Sequence, residues 1–198
     1  MADQKTEIRL AGFGGQGIVL AGHILGKAAA LFEHVNAVFT QSYGPEARGG
    51  ACSADVVLSG GAIHYPRVAS PQVLVLMSEE AKNTYGGQLA DRALVLIDED
   101  LVQLETVPEH CSLYKIPATR FAEKLGRKIV ANIVMLGFIT AVTRVVSYEA
   151  MKQALFDSIP GGTEELNLKA FEKGYEYGKG LVDQRTEGRL QKTEDGRP

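Results

Sequence analysis

An α/β domain with a mainly parallel sheet is what this sequence predicts, and three observations carry that expectation. The turn Gly12-Phe13-Gly14-Gly15-Gln16-Gly17 stands directly after an apolar strand and directly before a helix. Two short continuous apolar runs, VLVLM at Val73–Met77 and ALVLI at Ala93–Ile97, have the composition of strands covered on both faces. Segments of helical periodicity alternate with the strands, as parallel βαβ units require.

Taken in order, Ile8–Gly12 reads as the first strand and Ile18–Phe32, rich in alanine and spaced apolar residues, as a helix packed on a sheet. Val35–Thr40 (VNAVFT) is β-branched and aromatic, giving a second strand expected to run parallel to the first by the right-handed crossover rule. Gln41–Gly50 (QSYGPEARGG) is then a turn-rich loop at that strand's carboxyl end. From Ala51, two strand-like runs flank Gly60-Gly61 in ACSADVVLSGGAIHYPRV, which predicts an inserted β-hairpin with Pro66 at a sheet edge. Ser78 reads as an N-cap, with Glu79 and Glu80 in the first turn of a helix reaching Leu89. After Ala93–Ile97 comes a half-polar strand, Ser112–Ile116, followed by a helix over Arg120–Leu125 capped by Thr119 and stopped by Gly126.

The last third reads as helical: Ile129–Val145, then Tyr148–Ile159 behind Ser147, a Pro160-Gly161-Gly162 break, and a helix behind Thr163 reaching Val182. Residues 1–182 are thus expected to form a single Rossmann-like domain with a mainly parallel sheet, an inserted β-hairpin and a helical C-terminal third. Residues 183–198 are a charged tail, mobile or an interface arm, because it has no apolar face to bury.

The chain's 198 residues suffice for one domain with one core, and 45% hydrophobic with 23% charged residues is a globular balance. A net charge of -3 gives no electrostatic case for nucleic acid or an anionic membrane as partner. The N-terminal MADQKTEIRL mixes acids with bases and has no apolar run, so a cytoplasmic location is expected. Ile129–Val145 is shorter than the about 20 residues of a membrane span and carries Asn132 and Arg144, which points to a buried core helix. Cys52 and Cys111 are far apart, whereas iron–sulfur clusters are usually held by four thiolates and structural zinc by four ligands. The chain therefore cannot hold a cluster alone, and its thiols are expected to be reduced and buried.

The glycine turn raises the question of NAD. A dinucleotide site also needs an Asp or Glu about 20 residues on, at the end of the second strand, to hold the ribose hydroxyls. That strand ends at Thr40-Gln41-Ser42, with Glu33 before it and Glu46 well into the loop, so the acid's position is vacant. Gly17 lacks the following Lys and Ser or Thr of a P-loop. Loops after adjacent parallel strands share a sheet edge, so Gly14, Gly15, Gln16 and Gly17 should face Gln41, Ser42, Tyr43, Gly44, Glu46, Arg48, Gly49 and Gly50 across one crevice. Backbone amides, side-chain amides, hydroxyls and an acid–base pair would make that crevice a polar recognition surface. No nucleophile–base pair is evident, and His23, His34, His64 and His110 lack metal-ligand spacing, so no catalytic residue and no metal ligand is assigned.

Two motifs carry a resemblance. GFGGQGIVLAG (Gly12–Gly22) together with QSYGPEARGGACSADVVLS (Gln41–Ser59) resembles the γ subunit, or γ domain, of the 2-oxoacid:ferredoxin oxidoreductases. Further matches follow in order at HYPRV (His64–Val68), VLVLMSEEA (Val73–Ala81), KIVANIVMLG (Lys128–Gly137) and PGGTEELNLKAFEKGYEYG (Pro160–Gly178). The resemblance implies a multi-subunit enzyme that oxidatively decarboxylates a 2-oxoacid to an acyl-CoA and passes electrons to ferredoxin or a similar acceptor. It implies thiamine diphosphate with Mg and iron–sulfur clusters in partner subunits, coenzyme A as co-substrate, and no cofactor held by this chain alone. The implied partners are α and β catalytic subunits, a ferredoxin-like δ subunit and, in some relatives, an added flavin subunit. This chain would supply subunit packing and part of the coenzyme A channel, with Arg48 as a contact for a carboxylate or phosphate. The competing class is a stand-alone Rossmann-type oxidoreductase that binds its own NAD.

Overall fold

The computed structural model describes residues 5–43 and 50–194, with side chains through residue 186. Six strands, β1 (Thr6–Phe13), β2 (Asn36–Tyr43), β3 (Ala51–Ser59), β4 (Val73–Leu76), β5 (Leu94–Asp98) and β6 (Ser112–Ile116), form one sheet in the order β2-β3-β1-β4-β5-β6. β1, β4, β5 and β6 are mutually parallel, while β3 runs antiparallel between β1 and β2. β2 therefore points the same way as β1, as expected, but it is not β1's neighbour.

This arrangement corrects the expected hairpin. The hairpin partners are β2 and β3, with Asn36 opposite Ser59 and Tyr43 opposite Cys52, and Gly60-Gly61 leads out of the sheet. The reason lies in β3. Cys52, Ala54, Val56 and Leu58 are buried on one face and Ser53, Val57 and Ser59 on the other, so the strand belongs inside the sheet with a partner on each side. The segment after it, with Pro66 and Pro71, cannot supply an unbroken ladder of donors. It is held down instead by Arg9, whose guanidinium grips Asp55 at 2.7 and 2.8 Å, Gln88 at 2.6 Å and the Val68 carbonyl at 2.7 Å. Arg9 lies over the Tyr85 ring, and its pKa is raised by the bond to Asp55 against the opposing cost of burial.

The helices are α1 (Ile18–Lys27), α2 (Glu79–Tyr85), α3 (Ala118–Lys124), α4 (Ala131–Thr143), α5 (Tyr148–Phe156) and α6 (Glu164–Glu194). The main core, on one face of the sheet, joins Ile8, Leu10, Val75 and Leu96 to α1, α3, α4, α5 and α6. A smaller core on the other face joins Ala11, Leu74, Leu76, Val95 and Ile97 to α2 and the segment carrying Leu101, Val102 and Leu104. α4 is buried all round from Ala131 to Ala141, as a helix apolar on every side must be. α6 crosses it at backbone contact: a Cβ on Gly174 would lie 1.8 Å from the Val134 carbonyl oxygen, and one on Gly137 2.0 Å from that of Phe171.

The caps mix agreement with correction. Ser78 and Ser147 accept from the amides of Ala81 and Ala150 at 3.1 and 3.2 Å, as their sequence context predicts. Thr119 is not a cap; it sits inside α3 and its hydroxyl donates to Asp98 at 2.6 Å. The Thr163 hydroxyl donates to the Pro160 carbonyl. α2 stops at Tyr85, short of Leu89, and α6 continues past Val182 to Glu194. Cys52 is buried, but Cys111 is half-exposed, contrary to expectation. Among the described residues no helix is long and apolar enough to cross a membrane.

Candidate functional site

The glycine turn sits at the carboxyl edge of the parallel strands, where open α/β sheets bind ligands. Its glycines divide the work. Gly12 lies so close to the side chains of Gln16 and Ile18 that a Cβ would be 2.5 Å from Gln16 Oε1. Among the described residues Gly14 and Gly15 have no neighbour for a Cβ within 4 Å, and Gly15 adopts φ 100°. Gly17 takes φ 75° at the N-cap of α1, and a Cβ there would lie 2.3 Å from the Asn132 amide, which donates to the Gly17 carbonyl at 3.1 Å. Among the described residues no side chain caps α1, which leaves its first-turn amides open to a partner.

Gln16 is a correction to the expected recognition surface. Its Oε1 accepts from the Phe13 amide at 2.6 Å and its Nε2 donates to the Met77 carbonyl at 2.8 Å. The side chain therefore closes the turn on itself and ties β1 to the end of β4, so it is structural wiring rather than an open amide. Gln16 and Asn132 together fix the turn from both sides. Asn132, a polar residue within an apolar run, was the signal for this second contact.

Gly14, Gly15, Gly17, Leu20, His23, Phe39, Gln41, Tyr43 and Cys52 line an open cavity of about 660 Å³ between the turn and β2. The glycine turn and the end of β2 do meet at one edge, although β3 stands between the two strands. Ser42 is exposed, and strand alternation turns it to the opposite face from Gln41 and Tyr43. Gly50 is half-buried just before β3. Gly44, Glu46, Arg48 and Gly49 lie outside the described residues. Among the described residues the lining is mainly apolar, and the acid–base pair of the expected polar crevice, Glu46 and Arg48, falls in the part not described. His23 packs edge-on to Phe39, and burial pushes the Cys52 thiol up.

A second cavity of about 290 Å³ lies on the other side of the turn, among Gly15, Gln16, Met77, Thr119, Lys128 and Ile129. Beneath its Thr119 wall Asp98 is fully buried, accepting from the amide and hydroxyl of Thr119 and from the amide of Asp100. Burial raises its pKa despite these bonds. Arg120 is taken by Asp100 and Glu99. Glu33, the acid nearest before β2, accepts from the Ser147 amide at 2.7 Å; the Ser147 hydroxyl and then its amide lower the Glu33 pKa, which commits it to the start of α5.

Around both cavities large apolar side chains stand in solvent: Phe13 is 38% exposed, Leu20 37%, Tyr43 62% and Ile129 59%. Among the described residues no three His, Cys, Asp or Glu side chains are grouped to hold a metal ion.

Fold and edge together define a class: a Rossmann-related α/β subunit whose glycine turn is wired into its own frame and bordered by apolar surface. The sequence pattern of pyruvate ferredoxin/flavodoxin oxidoreductases matches residues 7–177, and the chain belongs to that family, as a γ-type subunit of the 2-oxoacid:ferredoxin oxidoreductases. It is 54% identical to the 2-oxoglutarate synthase subunit KorC of Methanocaldococcus jannaschii, over 89% of this chain and 96% of the relative. It is 34% identical to the pyruvate synthase subunit PorC of Methanothermobacter thermautotrophicus, over 86% and 94%. The solved γ subunit of a keto/oxoacid ferredoxin oxidoreductase from Geobacter sulfurreducens superposes with a TM-score of 0.80 at 38% identity, covering 90% of this chain and 98% of that one. These relatives are subunits of oxidoreductases that act as complexes.

Proposed function

We propose that this chain is the γ subunit of a 2-oxoglutarate:ferredoxin oxidoreductase, which converts 2-oxoglutarate and coenzyme A to succinyl-CoA and carbon dioxide, the two electrons passing to ferredoxin. The observation that carries the substrate is the 54% identity to a 2-oxoglutarate synthase subunit along nearly the whole of both chains, against 34% for the pyruvate synthase relative. Decarboxylation and electron relay would belong to thiamine diphosphate and iron–sulfur clusters in α, β and δ subunits. This chain's own part is packing. Phe13, Leu20, Tyr43 and Ile129 would be covered by the catalytic subunits, and Gly14–Gly17 with Gln41–Gly50 would form one wall of the coenzyme A channel.

The fit to coenzyme A rests on the uncapped start of α1 and the open space at Gly14 and Gly15, because backbone amides at a helix start suit a phosphate. Arg48 would add a charge-assisted contact.

Anaerobic recovery of the tagged chain from its own cells tests the assignment. Larger partners carrying thiamine diphosphate and iron are expected, with viologen reduction dependent on coenzyme A and at least roughly tenfold higher kcat/KM for 2-oxoglutarate than for pyruvate. A preference for pyruvate or a branched oxoacid would refute the substrate, and a bare chain the assembly. Phe13→Asp with Ile129→Asp should abolish recovery of the partners at unchanged thermal midpoint. Arg48→Ala should weaken assembly or raise the coenzyme A concentration needed for saturation, and no change in either would remove Arg48 from the channel.

A further inference from the structure

The two ends of the sheet are built differently. At one end β6 is guarded. Arg185 on α6 donates to the Leu113 carbonyl at 2.6 Å and stacks 4.0 Å from the centre of the Tyr114 ring, and Lys115 puts a charge on the strand itself. Sheets block their edges in such ways because an unpaired strand is a template for another chain. At the other end β2 has no such device among the described residues. Its eight residues, NAVFTQSY, include no charge and no proline, and among the described residues no strand pairs with its outer edge.

The layer above β2 is open on the same flank. A groove of about 390 Å³ runs between α1 and the strand, among His23, Lys27, Ala30, Leu31, Ala37 and Phe39. It shares His23 and Phe39 with the cavity at the glycine turn, and Leu31 at its rim is 57% exposed.

We propose that the outer edge of β2 pairs with the same edge of a second copy of this chain, giving a two-fold dimer with one continuous sheet. Antiparallel pairing about an axis normal to the sheet puts the α1 face of both copies on one side. With the axis at Val38, Ala37 faces Phe39 and Asn36 faces Thr40 of the copy, Gln41–Tyr43 stay outside the paired run, and no like charges meet. The helical layer selects the second copy as occupant. Gly22 and Gly26 seat α1 over Ala54 and Val56 of β3 and the inner side of Phe39. Pairing sets the two α1 helices between two and three strand spacings apart, about 10–14 Å at about 4.8 Å per strand, and a helix with its side chains is about 10–12 Å across. The half-grooves then merge under helices that meet through His23 and Leu31. A single strand from another protein would satisfy the edge and leave the groove open, whereas a second copy closes both.

This pairing is independent of docking at the glycine turn. Cysteine variants of the full chain test it, in a Cys111→Ser background that leaves only buried Cys52. Residues opposed across an antiparallel pair are about 4.5–5.5 Å apart at Cα, within disulfide reach. Val38→Cys, Thr40→Cys and the double variant cover an axis at Val38, Thr40 or Phe39. One of the three is expected to form a disulfide-linked dimer on mild oxidation, in the isolated chain and in the assembled enzyme. Val38→Lys with Leu31→Glu should weaken self-association roughly tenfold or more in sedimentation, with unchanged circular dichroism. Failure of all three cysteine variants to cross-link in either setting would overturn the pairing, as would a dimer unaffected by Val38→Lys with Leu31→Glu. Recovery of catalytic subunits, read on the same variants, is expected unchanged and separates failure of the docking surface from failure of the dimer.

Discussion

Gly17 and Gly14 belong to one sequence motif and obey different physics. Gly17 holds φ 75° and leaves no room before the Asn132 amide, so Gly17→Ala combines left-handed backbone cost with a side-chain clash. A loss of about 2–4 kcal/mol in urea unfolding is expected. Gly14 has neither constraint, and Gly14→Ala should stay within about 0.5 kcal/mol of wild type; similar losses for both would refute this division. Asp98 poses a question of sign. Burial raises its folded pKa above the unfolded value, so its favourable contribution is full below the unfolded pKa, about 3.9, and is lost as pH rises through the folded one. Relative to wild type, Asp98→Asn should therefore gain stability as pH is raised through that window. Denaturant midpoints of both proteins across pH 4–8 would check it, and a flat or opposite difference would mean that the three donors outweigh burial.

At the scale of elements, the crossing of α4 and α6 decides how the helical layer sits. Gly174 and Gly137 let the two backbones touch, and a methyl at Gly174 would press on the Val134 carbonyl with no side chain able to yield. Gly174→Ala should cost about 3 kcal/mol or prevent folding. Farther along the same helix Gly180 faces open space without a left-handed backbone, so Gly180→Ala should stabilise by about 0.4–1 kcal/mol through the unfolded chain. The two substitutions are chemically identical and opposite in expected sign, which thermal unfolding of the pair would read directly. A loss at both positions would show that α6 is constrained beyond its crossing with α4.

For the whole molecule, what the sequence made legible is what depends on local pattern: the apolar strands β4 and β5, the Ser78 and Ser147 caps, and the buried helix α4. Strand partnership was not legible, because ACSADVVLS can pair with the strand before it or the run after it, and burial on both faces decides only once α1 and α2 are in place. The wiring of the glycine turn was not legible for a related reason. Gln16 looks like a free amide until Met77 of a distant strand is brought beside it. The same partnership settles how the glycine fingerprint should behave. A dinucleotide fold sets its second parallel strand beside the first, with an acid at its end for the ribose. Here antiparallel β3 occupies that place, β2 is displaced to the sheet edge, and Glu33 is spent on the Ser147 amide. The isolated chain is therefore expected to show no saturable NAD binding. A ligand at 100 times its Kd adds about 2.7 kcal/mol of stability. Even a site with a Kd of about 10 µM would thus announce itself as a rise of several degrees in the thermal midpoint at about 1 mM NAD. An unshifted midpoint is expected, and a clear rise would restore the literal reading of Gly12–Gly17 as a cofactor site.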